Sequence, residues 1–154
     1  MDKTYYPTEI EEKWVKIWSE RKVKNESSTE SFYQVIPPPN VTGTLHMGHS
    51  FQYAIMDFYT RYNHMSGKDA HWQVGSDHAG IATQMVVENN LAKKEITRND
   101  LGREKFLEEV WSWKNYSEEK ITSQIKRLGS TVDWDKYRFT LDDGFNEAVI
   151  KAFV

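Results

Sequence analysis

Two histidines one helical turn apart, His46 and His49 in the run Pro37 to His49 (PPPNVTGTLHMGH), are the residues whose types and spacing point most directly to chemistry. Imidazoles in the first turn of a helix stand beside unpaired backbone N–H groups and the positive end of the helix dipole. Together these groups favour an anion, and a nucleotide phosphate fits best. Gly48 leaves a bare backbone between the rings. A second set lies in Trp72 to Gln84 (WQVGSDHAGIATQ). There the carboxylate of Asp77 can pair with an ammonium through charge-assisted hydrogen bonds, or cap the helix that follows, or do both. His78 either supports that loop or reaches a nucleotide, and Gln84, one turn into the helix, faces the site or solvent.

These residues need a frame. Three consecutive prolines fix φ and remove three donors, so the apolar run Phe32, Tyr33, Val35, Ile36 must finish as a strand at Pro37. Gly43 frees the turn. From about Leu45 the spacing predicts a helix with Met47, Phe51, Ala54, Ile55, Phe58, Tyr62 and Met65 on one face, stopped by Gly67. A strand is expected over Ala70 to Val74 and a helix from Ile81 to about Leu91. The order strand, helix, strand, helix argues for a parallel α/β sheet with right-handed crossover, whose ligand crevice lies at the carboxyl ends of the strands. Both histidine-bearing loops fall at those ends.

Upstream, Thr8 with Glu11 reads as a capping box after Pro7, followed by a stripe of Ile10, Trp14, Ile17 and Trp18. Lys24 to Ser31 reads as an exposed, serine-rich connection. Downstream, Asn99 to Lys126 predicts one or two long helices closed by Gly129, Ser130 to Leu141 an irregular stretch, and Asp142 onward a helix with Phe145, Val149 and Phe153 on a face. That apolar pattern runs to Val154 without a cap, so the pattern is expected to continue in a longer protein.

Composition bounds less. With 154 residues, 38% hydrophobic and 14% aromatic, the chain can build a core, and a net charge of −3 gives no global attraction for nucleic acid. The absence of cysteine removes disulfides and thiolate metal sites, and there is neither a signal-peptide pattern nor a stretch of membrane-spanning length, so a cytoplasmic protein is the expectation. The six tryptophans recur in apolar patterns and read as packing residues, and Lys114, Lys120, Lys126 and Arg127 as a solvated helix face.

HMGH alone is a weak signal, but it stands among ordered blocks. The run resembles the HIGH signature of class I aminoacyl-tRNA synthetases, and the preceding PPPNVTG resembles the valyl branch of that family. WQVGSDHAGIATQ is similar to the second valyl signature. GREKF (Gly102 to Phe106), VWSWK (Val110 to Lys114), RLG (Arg127 to Gly129), VDW (Val132 to Trp134) and RFT (Arg138 to Thr140) extend the likeness over nearly the whole chain. The chain departs from the valyl pattern at Ser76, where threonine is usual, and at Glu118 and Glu119, since Ser-Gly-Gly is common where Ser117, Glu118 and Glu119 stand; neither departure is expected to touch the chemistry.

The resemblance implies an α/β fold, the first half of a Rossmann-like (HUP-type) nucleotide-binding domain, incomplete, with parallel strands and flanking helices. It assigns residues 1–31 to an N-terminal helix and linker and 32–154 to the catalytic domain, ending before an editing insertion. It implies ATP-dependent activation of L-valine and transfer to tRNA(Val) by a monomeric enzyme, with ATP and Mg2+ as the implied cofactors, no metal held by this segment, and no membrane partner. His46 and His49 become catalytic, Thr42, Gly43, His46, Gly48 and His49 ATP-binding, with adenine against Gly48. Pro38, Asn40 and Asp77 bind the amino acid, and His78 and Gln84 support the loop. No KMSKS-like run or editing region is present in the 154 residues, so little or no activation by the chain alone is implied. An isoleucyl enzyme is the nearest rival, and DHAGIATQ argues against it. Two other readings are a stand-alone nucleotide-binding or interaction module, and a metal-dependent hydrolase built on His46, His49, His64, His71, His78 and Asp77.

Overall fold

The computed structural model describes residues 4–20 and 28–154. Residues 24–27, half of the connection expected over Lys24 to Ser31, lie outside the described residues. The described chain forms two compact units that take alternating stretches of sequence. One draws on Met1–Ile36, His46–Val74 and Ser123–Tyr137, the other on Pro37–Leu45, Gly75–Thr122 and Arg138–Val154.

In the first unit, β1 (Ser31–Val35) pairs in parallel with β2 (Asp69–Gln73), from Ser31 opposite Asp69 to Val35 opposite Gln73. The crossover between them is α2 (Met47–Met65), whose buried face is Tyr53, Met56, Thr60 and Asn63. The apolar face read from the helical spacing is not this buried one. Met47, Phe51, Phe58 and Met65 are 82, 71, 64 and 90% exposed, while the half-polar face is the one packed inward. The polar groups there are met locally. Thr60 donates to the Met56 carbonyl (3.0 Å), Asn63 to the Tyr59 carbonyl (2.9 Å), and the Gln34 amide from β1 to both Met56 O (2.6 Å) and Thr60 Oγ1 (2.8 Å). Buried polar atoms are tolerated when bonded.

Trp72 is fully buried and its indole N–H reaches the Thr131 carbonyl at 2.8 Å. Asp57 accepts from the Thr131 N–H, and Arg61 donates to the Gly129 carbonyl at 2.6 Å. A tail far along the chain is thus tied to α2. Gly129 adopts φ +71°, and a Cβ there would come within 2.5 Å of the Trp18 ring, so glycine is needed twice over. Trp18 belongs to α1 (Pro7–Ser19), which starts on Pro7 with Tyr6 as N-cap and no side-chain cap. The Thr8–Glu11 capping box does not form, because Pro7 at the first helical position draws Thr8 inside the helix.

In the second unit, β3 (Gly75–Ser76) pairs in parallel with β4 (Arg138–Phe139). Neither two-residue strand carries an alternation long enough to read, so the stretch expected to be irregular hides one of them. The helices are α3 (Gly80–Ala92), α4 (Arg98–Arg127) and α5 (Asp143–Phe153). Gly102, at φ 74° and ψ 171°, breaks α4, and only its residues through Thr122 belong to this unit. Val87, Leu91 and Phe106 form the core, with Ile96, Leu101, Val110 and Trp113 packed on it. The α5 N-cap is Asp142, which accepts from the Phe145 N–H at 2.9 Å; the Arg138 guanidinium beside it holds its carboxyl down at about 2. No described helix is long and apolar enough to cross a membrane.

Candidate active-site residues

The two histidines close the N-terminus of α2 by a reciprocal cap. His46 is the N-cap in extended conformation, and its Nδ1 accepts from the Gly48 N–H (3.1 Å); His49 Nδ1 in turn accepts from the His46 N–H (3.2 Å). This is a capping box made of imidazoles instead of hydroxyl and carboxyl groups. An accepting Nδ1 leaves the ring proton on Nε2. Both rings therefore keep an Nε2–H for an external acceptor, and they lie 3.9 Å apart between centroids. Partial burial, reinforced by the neighbouring His46, lowers the His49 pKa, so its donor is a neutral one near pH 7.

Gly48 is explained by the same cap. A Cβ on it would sit 2.9 Å from His46 Cε1, so the bare backbone admits the imidazole of the chain itself. Behind His49 lies Tyr53, with ring centroids 6.0 Å apart. Tyr53 is fully buried, its hydroxyl has no hydrogen-bond partner among the described residues, and burial pushes its pKa up to about 12.

The second unit gathers a different set. Asp77 and Asn40 form a parallel bridge: the Asp77 N–H donates to the Pro39 carbonyl and the Val41 N–H to the Asp77 carbonyl, both at 2.9 Å. The side chain of Asp77 accepts at Oδ1 from the Ala79 N–H (3.0 Å) and from the Thr140 hydroxyl (3.1 Å). The N-cap role expected of Asp77 falls to Ala79, at φ 42°, because the carboxylate closes a tight turn two residues before the helix proper. His78 meets the same hydroxyl twice, through its backbone N–H (2.9 Å) and through Nδ1 (2.6 Å).

The Pro38 to Gly43 loop is held from α4. Trp113 donates its indole N–H to the Val41 carbonyl (3.0 Å), and Ser117 its hydroxyl to the Gly43 carbonyl (2.8 Å). Pro38 and Asn40 are exposed, and Thr42 and Gly43 half-buried. The departures from the valyl pattern prove to be neighbours: Ser76 Oγ donates to Glu118 Oε1 at 3.1 Å, and Glu118 pairs with Lys114 at 2.6 Å. Ser117, where the chain keeps the usual serine, bonds the signature loop directly. Lys114, 15% exposed in its side chain, stands over the Phe139 ring, so it is not the solvated lysine expected. Gln84 does not join Asp77. It is exposed and lines a hollow of about 420 Å³ with Arg98, Asn99 and Arg103 among others.

Trp113, Ser117 and Thr140 are the site residues that sequence reasoning missed. Their only signal was membership of the VWSWK and RFT blocks and of the stretch where Ser-Gly-Gly is common, none of which names a contact. Among the described residues no three histidines, aspartates or glutamates converge as a metal site, so the six residues of the hydrolase reading do not gather.

Comparison with known proteins supplies the remaining findings. The family model described as "tRNA synthetases class I (I, L, M and V)" matches residues 9–154. The chain is 59% identical over 152 residues to a valine--tRNA ligase of Acinetobacter baylyi, a match covering 98% of this chain and 16% of that protein. Among solved structures it is similar to the crystallised ternary complex of Agrobacterium radiobacter K84 agnB2 LeuRS with tRNA and LeuAMS, at a TM-score of 0.74 and 20% identity. That match covers 97% of this chain and 18% of the other, and it speaks for the fold.

Proposed function

This chain belongs to the class I tRNA synthetases of the I, L, M and V group, and from that premise we propose that its residues serve the activation of L-valine. In that reaction a valine carboxylate oxygen attacks the α-phosphorus of ATP. A new P–O bond gives valyl-adenylate, and the bond to the leaving pyrophosphate breaks. The adenylate then acylates the 3′ adenosine of tRNA(Val) and releases AMP. The 59% identity to a protein named valine--tRNA ligase supports valine as the amino acid. The relative is about six times as long as the match, so the full reaction is a property proposed for a whole enzyme of that kind, acting as a cytoplasmic monomer. Residues 32–154 supply the first half of its catalytic nucleotide-binding domain, and residues 1–31 a helix and linker.

The observation that carries the reading is the imidazole capping box. Two Nε2–H donors at one helix N-terminus, fixed by backbone hydrogen bonds, suit the phosphate oxygens and the charge that develops on them during transfer. His46 and His49 fill that role, and Thr42 and Gly43 add polar and backbone groups on the nucleotide. The His46 ring occupies the space over Gly48, so adenine would have to meet that imidazole rather than the bare backbone. Asp77 takes the ammonium of valine, and Pro38 and Asn40 border its isopropyl group. ATP enters with its Mg2+ as substrate, and the described residues offer no metal-binding cluster of their own.

The test is a segment exchange. The matching 152 residues of the Acinetobacter enzyme are replaced by this chain, and valine-dependent ATP–pyrophosphate exchange is measured. Robust exchange that drops in kcat with His49→Ala and rises in valine KM with Asp77→Ala supports the proposal; exchange indifferent to both refutes it. The chain on its own is expected to show little or none.

A further inference from the structure

We infer that Thr140 is a positioning residue for amino-acid binding: its hydroxyl holds Asp77 and His78 in one relay and fixes His78 with its ring proton on Nδ1. The inference rests on the reading of Asp77 as the ammonium partner and adds a residue 63 positions away to that site. Hydrogen-bond accounting carries it. The Thr140 hydroxyl has one proton and two lone pairs, and three groups surround it: the His78 backbone N–H at 2.9 Å, His78 Nδ1 at 2.6 Å and Asp77 Oδ1 at 3.1 Å.

The backbone N–H can only donate, so it takes one lone pair. A hydroxyl proton spent on Nδ1 would leave Thr140 Oγ1 facing Asp77 Oδ1 with no proton between them. His78 Nδ1, 3.3 Å from the same carboxylate oxygen, would face it lone pair to lone pair. If Nδ1 carries the proton instead, every contact is satisfied. Nδ1–H donates to Thr140 Oγ1, which donates to Asp77 Oδ1, and the Ala79 N–H completes that oxygen. The arrangement is rooted in the backbone, because the Thr140 N–H donates to the Ser76 carbonyl at 3.1 Å in continuation of the β3–β4 pair.

The consequence for the site is directional. Oδ1 of Asp77 is fully engaged, so Oδ2 is the oxygen presented to an ammonium, and the carboxylate cannot rotate away without breaking two hydrogen bonds. The His78 ring is left with an Nε2 lone pair, an acceptor for an N–H or O–H group of the ligand.

Two measurements test this. In the 154-residue chain, ring 15N shifts of His78 report which nitrogen is protonated, with no substrate needed. In the segment-exchanged enzyme, Thr140→Val, which keeps the shape and removes the hydroxyl, is compared with Thr140→Ser, which keeps the hydroxyl. The expected result is an Nδ1–H tautomer in the parent chain that is lost with Val and restored with Ser. Valine KM should rise about tenfold with Val, return with Ser, and leave ATP KM in place. An Nε2–H tautomer in the parent chain, or an unchanged valine KM with Val, overturns the inference. An unchanged valine KM with Asp77→Ala removes the ammonium reading instead, and the tautomer result then stands or falls separately.

Discussion

The imidazole cap of α2 and the Asp77 loop reach order by opposite routes. In the cap, every hydrogen bond joins residues two or three apart, so His46, Gly48 and His49 organise each other within a single turn. In the Asp77 loop, one carboxylate and one imidazole share Thr140, more than sixty residues on, beside a single local bond from the Ala79 N–H, and the neighbouring loop hangs from Trp113 and Ser117. The first depends on local conformation, the second on the whole second unit being folded. A local cap survives loosening elsewhere; a nonlocal cluster does not.

The largest expected effect tests the chemistry of the local region. His49→Ala in the segment-exchanged enzyme should lower kcat for exchange by about 10² to 10³, the usual loss when a donor to developing charge is removed. A loss below tenfold would reduce His49 to a capping residue. Next, Gly75→Ala should break the nonlocal region, since its Cβ would meet the Arg138 backbone oxygen at 2.5 Å and β3 would have to part from β4. A destabilisation of about 3 kcal/mol in urea is expected, with the His78 ring signals moving and those of His46 and His49 staying in place. Equal movement of all three would erase the distinction between the regions.

His46→Ala removes one cap bond at an exposed helix end and should cost about 1 kcal/mol. A cost matching that of Gly75→Ala would show that the cap organises far more than its own turn. The smallest effect is a pH dependence. His49 is lowered from 6.5 by burial and by His46, and His71 by burial and then by the charge of Lys136, with its Nε2 buried and without a hydrogen-bond partner among the described residues. The unfolded chain then binds more protons below about 6.5, so this stability is complete above that pH and is lost as pH falls through the lowered native values. The melting temperature should be flat from pH 7 to 8 and decline towards pH 5, less steeply in His71→Gln than in the parent chain.

Much of the fold was legible from residue order alone. The proline run ended β1, Gly67 ended α2, Gly129 closed α4 and Asp142 capped α5, each through backbone restrictions that act within a few residues. What failed was whatever needed a partner. The apolar stripe of α2 was legible as a face by its periodicity, yet Tyr53, Met56, Thr60 and Asn63 are the buried side. Periodicity locates a face without saying which surface it meets. The two-residue strands β3 and β4 were invisible, since a strand that short exists only through its pairing. Lys114 read as solvated from the charge balance of the chain, but it lies between Glu118 and Phe139.

The sequence by itself determined the family, the parallel strand–helix–strand frame and the place of His46 and His49 at a helix start, because prolines, glycines and a helix N-terminus act through covalent geometry and nearest turns. The tertiary structure alone decided that Thr140 joins Asp77 to His78, that Ser117 and Trp113 carry the signature loop, and that Ser76 meets Glu118. These pairs are 40 to 75 residues apart in the chain and come together only when strands pair and helices pack, and no local preference of either partner encodes the other.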